Sequence, residues 1–206
     1  MKQKTIVYVD GFNLYYRCLK NTSYKWLDLS KFASFMLPQE KHDIVKIKFF
    51  TTRIDARKDP DAPIRQNAYL SALSQYCPNV EIFYGHFLSN VAKRPLAPPA
   101  KGWVDVILTE EKGTDVNIAA HIINDAWLGL YDCAAIISND SDLAEAMRLA
   151  KARNKTIGWI VTGNQHPSQE LAKIATFRKT IRENSLKNAQ LPETIPGTTI
   201  TKPSVW

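Results

Sequence analysis

The sequence predicts an α/β fold built on a central, mainly parallel sheet. Short runs of β-branched and aromatic residues alternate with segments whose apolar residues recur at helical spacing, as expected for parallel strands joined by helices. Several of the predicted strands end directly in a polar turn that carries an acid. Open α/β sheets present their functional side chains at this carboxyl edge, so we expect a site there.

Composition narrows the class of protein. With 206 residues, 45% of them hydrophobic, the chain suits one globular domain with a good core. No apolar run approaches the roughly 20 residues that cross a bilayer, and the first run is too short for a signal peptide. We therefore expect a cytoplasmic protein without membrane association. The excess of 27 basic over 20 acidic residues permits nucleic-acid binding without establishing it.

The three cysteines disfavour a disulfide framework and a zinc site. Cys18, Cys77 and Cys133 lie far apart and form no CxxC pair. They are typical of buried thiols in a reducing compartment.

The first predicted strand, residues 6–9, ends in an acidic turn. Asp10 follows it directly, Gly11 permits a sharp turn, and Asn13 offers a hydrogen-bonding side chain. Asp-Gly is also a common turn, and this segment alone favours that interpretation. Together with the acids that come later in the chain, it favours a site.

The following segments predict a helix over residues 27–37, a strand over 44–50 and a helix over 64–76. A polar loop, residues 51–60, lies between that strand and the second helix. It would emerge at the carboxyl edge of a parallel sheet, where its cations could contact phosphates. These cations are Arg53, Arg57 and Lys58. A solvated loop explains them equally well.

A further strand is predicted over residues 80–87. Residues 89–102 are rich in proline, lysine and arginine, which excludes a helix or a central strand and predicts an exposed insertion. Residues 103–109 then predict a strand that pairs back on the preceding one.

The second acidic segment precedes a long helix. Gly113 permits a tight turn, and Thr114 or Asp115 could cap a helix that runs to about residue 130. Asp115 is therefore expected at a helix start, with Lys112 close by. His121, six positions after Asp115, is more typical of a structural histidine than of a catalytic one.

The third acidic segment carries two carboxylates. An apolar strand over residues 134–137 stops at Ser138 and Asn139, and Asp140 and Asp142 follow before a helical pattern begins. Either Asp140 or Ser141 could be a helix N-cap. A cap explains one carboxylate, not two.

The remaining chain predicts a strand over residues 155–161, a helix over 168–175 and a strand over 177–181. Beyond them the sequence turns polar and proline-containing. We therefore expect one domain over residues 1–182 and a flexible tail over residues 183–206.

The three acidic segments should meet at one edge of the sheet. Carboxylates with little histidine and no paired cysteine suit the hard cations Mg²⁺ and Mn²⁺. A divalent ion held this way can generate hydroxide and stabilise a phosphodiester during displacement. The sequence lacks a GxxxxGK[ST] loop, which disfavours nucleoside triphosphate hydrolysis, and a GxGxxG turn, which disfavours dinucleotide redox chemistry. It also lacks the GxSxG motif that carries the nucleophile of many serine hydrolases.

Three motifs resemble one known family. VDGFNL at residues 9–14, EKGTDV at 111–116 and SNDSDL at 138–143 look like the NYN domain, in its LabA-like (DUF88) branch of the PIN-like nucleases. The resemblance extends over residues 4–181. It implies a PIN-like, three-layer α/β sandwich and a ribonuclease pocket that uses Mg²⁺ or Mn²⁺.

The resemblance also implies roles for individual residues. Asp10, Asp115 and Asp140 would be catalytic metal-site carboxylates, with Asp142 as a fourth acid that ligates directly or through water. The expected substrate-binding residues are Asn13, Lys112, Asn139, Arg53, Arg57 and Lys58. Many family members carry a further acid where this chain has His121, so the resemblance leaves open whether the site binds one metal ion or two.

Three functional hypotheses follow. The first is a metal-dependent ribonuclease with RNA as its partner, as a monomer or a homo-oligomer. The second is an RNA-binding or regulatory protein that keeps the pocket but cleaves weakly. The third is a monooxygenase of a hydroxylated pyridine, the name given to some bacterial relatives. The sequence contains no flavin or nicotinamide fingerprint and no 2-His-1-carboxylate pattern in support of it.

Overall fold

The computed structural model describes residues 1–56, 59–163 and 166–206. Its strands are β1 (Gln3–Asp10), β2 (His42–Thr51), β3 (Val80–Tyr84), β4 (His86–Pro95), β5 (Trp103–Lys112), β6 (Cys133–Ile137), β7 (Thr156–Val161) and β8 (Phe177–Thr180). Its α-helices are α1 (Gly11–Leu14), α2 (Leu29–Met36), α3 (Ala62–Tyr76), α4 (Thr114–Trp127), α5 (Ala144–Ala152), α6 (Gln169–Ile174) and α7 (Glu183–Asn188). A π-helical turn, Tyr15–Leu19, follows α1, and a 3₁₀ turn, Ser141–Leu143, precedes α5.

Six parallel strands form the central sheet, in the order β3-β2-β1-β6-β7-β8. Helices cover both faces, so the predicted α/β class and parallel sheet are confirmed. The strand order reverses between β1 and β6. Ligands of open α/β sheets bind in the crevice at the carboxyl ends of such a pair, and the first and third acidic motifs follow these two strands.

The core lies in two layers because β1 is buried on both faces. Val7 and Val9 belong to the hydrophobic cluster on one side of the sheet, and Ile6 and Tyr8 belong to the cluster on the other. A strand of this kind reads as a continuous apolar run, which is why the sequence revealed it. No helix in the described part of the chain is long and apolar enough to cross a membrane.

The predicted strand over residues 80–87 divides at Gly85 into β3, which joins the central sheet, and β4, which leaves it. A Cβ atom at Gly85 would lie 2.6 Å from the Thr114 hydroxyl and 2.7 Å from that of Thr52, so a larger residue does not fit. β4 pairs antiparallel with β5, which confirms the predicted return pairing. Of the expected insertion, residues 89–95 are therefore paired strand, and residues 96–102 form its turn.

The prediction of a flexible tail over residues 183–206 is wrong. Leu186, Leu191 and Ile195 are buried in the core that contains α2. The Trp26 indole donates a hydrogen bond to the Pro192 carbonyl at 2.8 Å. A few apolar anchors and backbone hydrogen bonds hold this segment although most of its residues are polar.

We expect Leu191→Ala to lower the free energy of unfolding by about 2–5 kcal/mol, because it leaves a cavity in a packed core. Val205→Ala, at a position with an exposure of 75%, is the control and should change stability by less than about 0.5 kcal/mol. Urea denaturation measures both. If the two variants were equally stable, the result would support the prediction of a flexible tail.

Candidate active site

Asp10 lies at the centre of the site, where β1 and β6 end side by side. Its side chain is buried, with 5% exposure. One carboxylate oxygen accepts the Asn13 N–H at 2.9 Å, so Asp10 caps α1, and the other accepts the Ser138 hydroxyl at 2.8 Å. Burial raises the pKa of Asp10, these two hydrogen bonds oppose the rise, and the charges of Asp140 and Glu111 add to it.

Asp140 is held by the turn that follows β6. Its carboxylate accepts the Asp142 N–H at 2.9 Å, and its own N–H donates to the Ser138 hydroxyl at 3.1 Å. The capping interpretation is thus correct for Asp140, where the cap occupies one carboxylate oxygen. Ser138 links the two acids, since its hydroxyl bonds to both residues.

Asp115 lies in the first turn of α4 and faces the same space. Burial raises its pKa to about 6, with further contributions from the charges of Asp10, Asp140, Glu111 and Asp142. These acids therefore share one electrostatic environment.

Glu111 is a site residue that the sequence prediction missed. One of its carboxylate oxygens accepts hydrogen bonds from the Thr52 hydroxyl at 2.9 Å, from the Thr114 N–H at 3.2 Å and from the Thr114 hydroxyl. Its position inside the second motif, three residues before a helix start, was the available signal. Gly113, with φ of +93°, makes the turn that brings Glu111 back toward Thr114.

A cavity of about 310 Å³ joins these groups. It is lined by Asp10, Phe12, Asn13, Tyr16, Phe87, Glu111, Thr114, Asp115 and Asp140. Four of these residues are acids, and three are aromatic residues that the sequence prediction also missed. The Phe12 ring centroid lies 6.1 Å from that of Tyr16 and 6.0 Å from that of Phe87. The cavity thus has one acidic and one aromatic wall.

The donor chemistry of the acidic wall fits a hard divalent cation. Its ligand atoms are carboxylate oxygens, and within residues 1–56, 59–163 and 166–206 none of the four acids forms an ion pair. The same described residues contain no group of three metal-binding side chains already placed around one point. The acids line a shared cavity without forming a tight cluster.

Asn13 and Asn139 brace the site. The Asn13 side-chain carbonyl accepts the Asn139 N–H at 3.1 Å and the Thr162 hydroxyl. The Asn139 amide accepts the Ser168 N–H at 2.8 Å and donates to the His166 carbonyl at 3.0 Å. Asn139 therefore holds the backbone at His166 and Ser168, whereas Asn13 lines the cavity.

Two further predicted residues lie near the cavity without lining it. Asp142 is exposed on the 3₁₀ turn and acts on Asp115 through its charge. Lys112, at the end of β5, is half-exposed and pairs with Glu110 at 2.7 Å.

The predicted cationic loop is only partly described. Arg53 donates to the Asn67 side chain at 2.7 Å, and its guanidinium lies 4.8 Å from the ring centroid of Tyr84. It does not line the acidic cavity. Arg57 and Lys58 lie outside the described residues.

His121 belongs to a buried polar network and not to the cavity lining. Its Nδ1 lies 3.1 Å from Lys48 Nζ, and its ring centroid is 4.2 Å from that of Phe83. Burial, followed by the Lys48 charge, lowers the pKa of His121. Lys48 forms an ion pair with Asp125 at 2.6 Å, and the Tyr8 hydroxyl donates to the same carboxylate at 2.7 Å.

Fold and cavity together define a parallel α/β protein with a carboxylate site at its topological switch point. The model of the NYN domain matches residues 4–181, and the chain belongs to this family, within the PIN-like nuclease superfamily.

Two known proteins are similar to the chain. One is named 6-hydroxy-3-succinoylpyridine 3-monooxygenase HspA, from Pseudomonas putida (strain DSM 28022 / S16), and is 31% identical over an alignment that covers 98% of this chain and 75% of that protein. The other is a solved structure of a protein of unknown function from Vibrio parahaemolyticus RIMD 2210633. It has a TM-score of 0.53 and 19% identity, covers 89% of this chain and 95% of its own, and supports the fold alone.

We expect Asp115→Asn to stabilise the metal-free protein at pH 7. The pKa of Asp115 is raised, so the native state loses stability as pH increases from about 4 to about 6, and the variant escapes that loss. Because solvent screens a partly exposed group, we expect a gain of about 1 kcal/mol at pH 7 and none near pH 3.5.

Urea denaturation in EDTA at both pH values measures this difference. Asp43→Asn, at an exposed position near the start of β2, is the control and should behave like wild type. If Asp115→Asn raised the free energy of unfolding equally at both pH values, the stabilisation would not come from the charge of Asp115.

Proposed function

We propose that the chain is a metal-dependent ribonuclease of the LabA-like (DUF88) branch, which hydrolyses phosphodiester bonds of RNA with Mg²⁺ or Mn²⁺. The observation that carries this proposal is the set of acids around one cavity at the switch point of an NYN fold, none of which is paired with a cation in the described part of the chain. Burial and then the charges of the neighbouring acids raise the pKa of Asp115, and among the described residues no cation is paired with these acids to offset their repulsion. A bound divalent ion would offset it.

Asp10, Asp115 and Asp140 would hold the metal, and Asp142, whose charge acts on Asp115, would ligate it directly or through water. The metal would supply an activated water and stabilise charge on the phosphate. The chain's own hydrogen bonds set the positions of these acids. Ser138 orients both Asp10 and Asp140, which leaves these ligands little freedom before a metal binds.

Glu111 has its own support, since Thr52 and Thr114 orient its carboxylate. We propose that it contributes charge to the metal site or orients the attacking water. Either role requires the fixed side chain that these bonds provide.

The charge balance of the chain suits RNA as substrate. The net charge is +7 although the cavity is acidic, so cations elsewhere would attract the phosphate backbone. We propose Lys112, Arg53, Arg57 and Lys58 as phosphate contacts. A cytoplasmic location accords with the free thiols of the three cysteines.

We expect Asp140→Asn to reduce Mg²⁺- or Mn²⁺-dependent cleavage of a labelled RNA at least about 100-fold, because it removes a metal ligand while asparagine still caps the 3₁₀ turn. Stability should be unchanged or slightly higher. Asp43→Asn should cleave like wild type. EDTA should abolish cleavage by both active proteins.

The outcomes separate the proposal from its first alternative. Cleavage that survives Asp140→Asn would come from a contaminant. RNA binding without cleavage would favour a regulatory RNA-binding protein.

A second candidate function comes from the curated relative. The chain matches almost along its whole length a protein named as a monooxygenase of 6-hydroxy-3-succinoylpyridine. Such a reaction consumes molecular oxygen and a reductant. The aromatic wall of Phe12, Tyr16 and Phe87 could contact a pyridine ring, and the presence of this wall favours the candidate.

We expect no oxygen uptake above background when the protein is mixed with 6-hydroxy-3-succinoylpyridine and a reduced nicotinamide, with or without added flavin. An oxygen electrode measures the rate, and chromatography of the pyridine detects a hydroxylated product. Substrate-dependent uptake coupled to that product would replace the ribonuclease proposal.

A further inference from the structure

We propose that a second cavity beside the acidic one binds a nucleobase of single-stranded RNA next to the bond that is cut. This inference rests on the proposed function, since it takes RNA as the ligand. The second cavity has a volume of about 750 Å³ and lies between α1, the π-helical turn and the start of α3. Phe12 and Tyr16 line both cavities, so a ligand could pass from one to the other across these two rings.

The lining of the second cavity is aromatic. Besides the two shared residues it includes Tyr15, Phe49, Tyr69 and Trp206. The Trp206 ring centroid lies 5.7 Å from that of Tyr69, and the Tyr16 side chain is exposed at 59%. Aromatic side chains bind bases by stacking whatever the base, and a cavity of this size can take a base together with its ribose.

Cations accompany the aromatic rings. Lys20, Lys25 and Arg65 line the second cavity, together with the acids Asp59 and Asp61. Arg65 pairs with Asp59, whereas Lys20 and Lys25 form no ion pair within the described residues. Lys20 Nζ lies 5.1 Å from the Tyr16 ring centroid, where it could meet a backbone phosphate.

The two cavities would bind different parts of a single RNA strand. Rings beside cations are the usual means of binding single-stranded nucleic acid, because they bind base and backbone together. The acidic cavity would repel phosphate until a metal is bound, so the second cavity would supply binding that does not depend on the metal.

Filling the second cavity tests this inference. Ala62, at the start of α3, lines the second cavity and not the acidic one, whereas Ser71 is exposed further along the same helix. We expect Ala62→Trp to weaken binding of a short single-stranded RNA about tenfold, as loss of one stacked base would. Ser71→Trp should bind like wild type. Fluorescence anisotropy in EDTA measures binding without metal-dependent cleavage.

A second pair of variants tests the shared wall without relying on the folding of Ala62→Trp. Tyr16→Ala should weaken binding by a similar factor, and Tyr16→Phe should not, because it keeps the ring. Phe35→Ala, at another exposed aromatic position outside both cavities, is the control. With an RNA that carries an abasic nucleotide at the bound position, wild type and Ala62→Trp should have the same affinity, because no base is left to enter the second cavity.

The outcomes distinguish this inference from the proposed function. RNA affinity that is equal in wild type, Ala62→Trp and Tyr16→Ala overturns the base-binding cavity but leaves cleavage intact. The expected binding pattern without metal-dependent cleavage supports the cavity and contradicts the ribonuclease. Absence of RNA binding, or binding of 6-hydroxy-3-succinoylpyridine that Ala62→Trp abolishes, overturns RNA as the ligand.

Discussion

The buried carboxylate of Asp10 is the constraint on which the rest of the site depends. A charge with 5% exposure is unfavourable unless hydrogen bonds compensate it, and here they come from the Asn13 backbone and the Ser138 hydroxyl. The first bond starts α1, and the second joins the turns after β1 and β6. Because Ser138 also accepts the Asp140 N–H, the position of one buried acid determines that of the next.

The site concentrates unfavourable charge where the fold is best able to tolerate it. The sheet around β1 and β6 is buried on both faces, and its packing holds side chains that would otherwise separate. The pKa of Asp115 is raised by burial first and then by the charges of the neighbouring acids, so both costs remain in the folded site. Sites whose electrostatics oppose stability are expected where a protein binds a charged ligand, and the surrounding core supplies the compensation.

The sequence predicted what depends on local pattern. Buried parallel strands followed by acids placed Asp10 and Asp140 at one edge, a helix start placed Asp115 there, and the structure puts all three in one cavity. It did not reveal the aromatic wall, because its members come from α1, the π-helical turn and β4 and share no periodicity. The wall also depends on the division of the chain at Gly85, where several side chains distant in sequence leave no room for a Cβ atom. The packed tail was missed for a similar reason, since its partners in α2 are distant in sequence.

The β4–β5 ribbon limits where residues can be inserted or deleted without disturbing the acidic cavity. Phe87 and Glu111 are directly opposite in its register, and both line the acidic cavity. Side chains alternate between the two faces of a strand, so inserting or deleting one residue near the base of either strand would turn one of these side chains away from the cavity. Changes at residues 96–102 leave that register untouched. Natural variation in the ribbon should therefore concentrate at its tip, while its base keeps a fixed spacing.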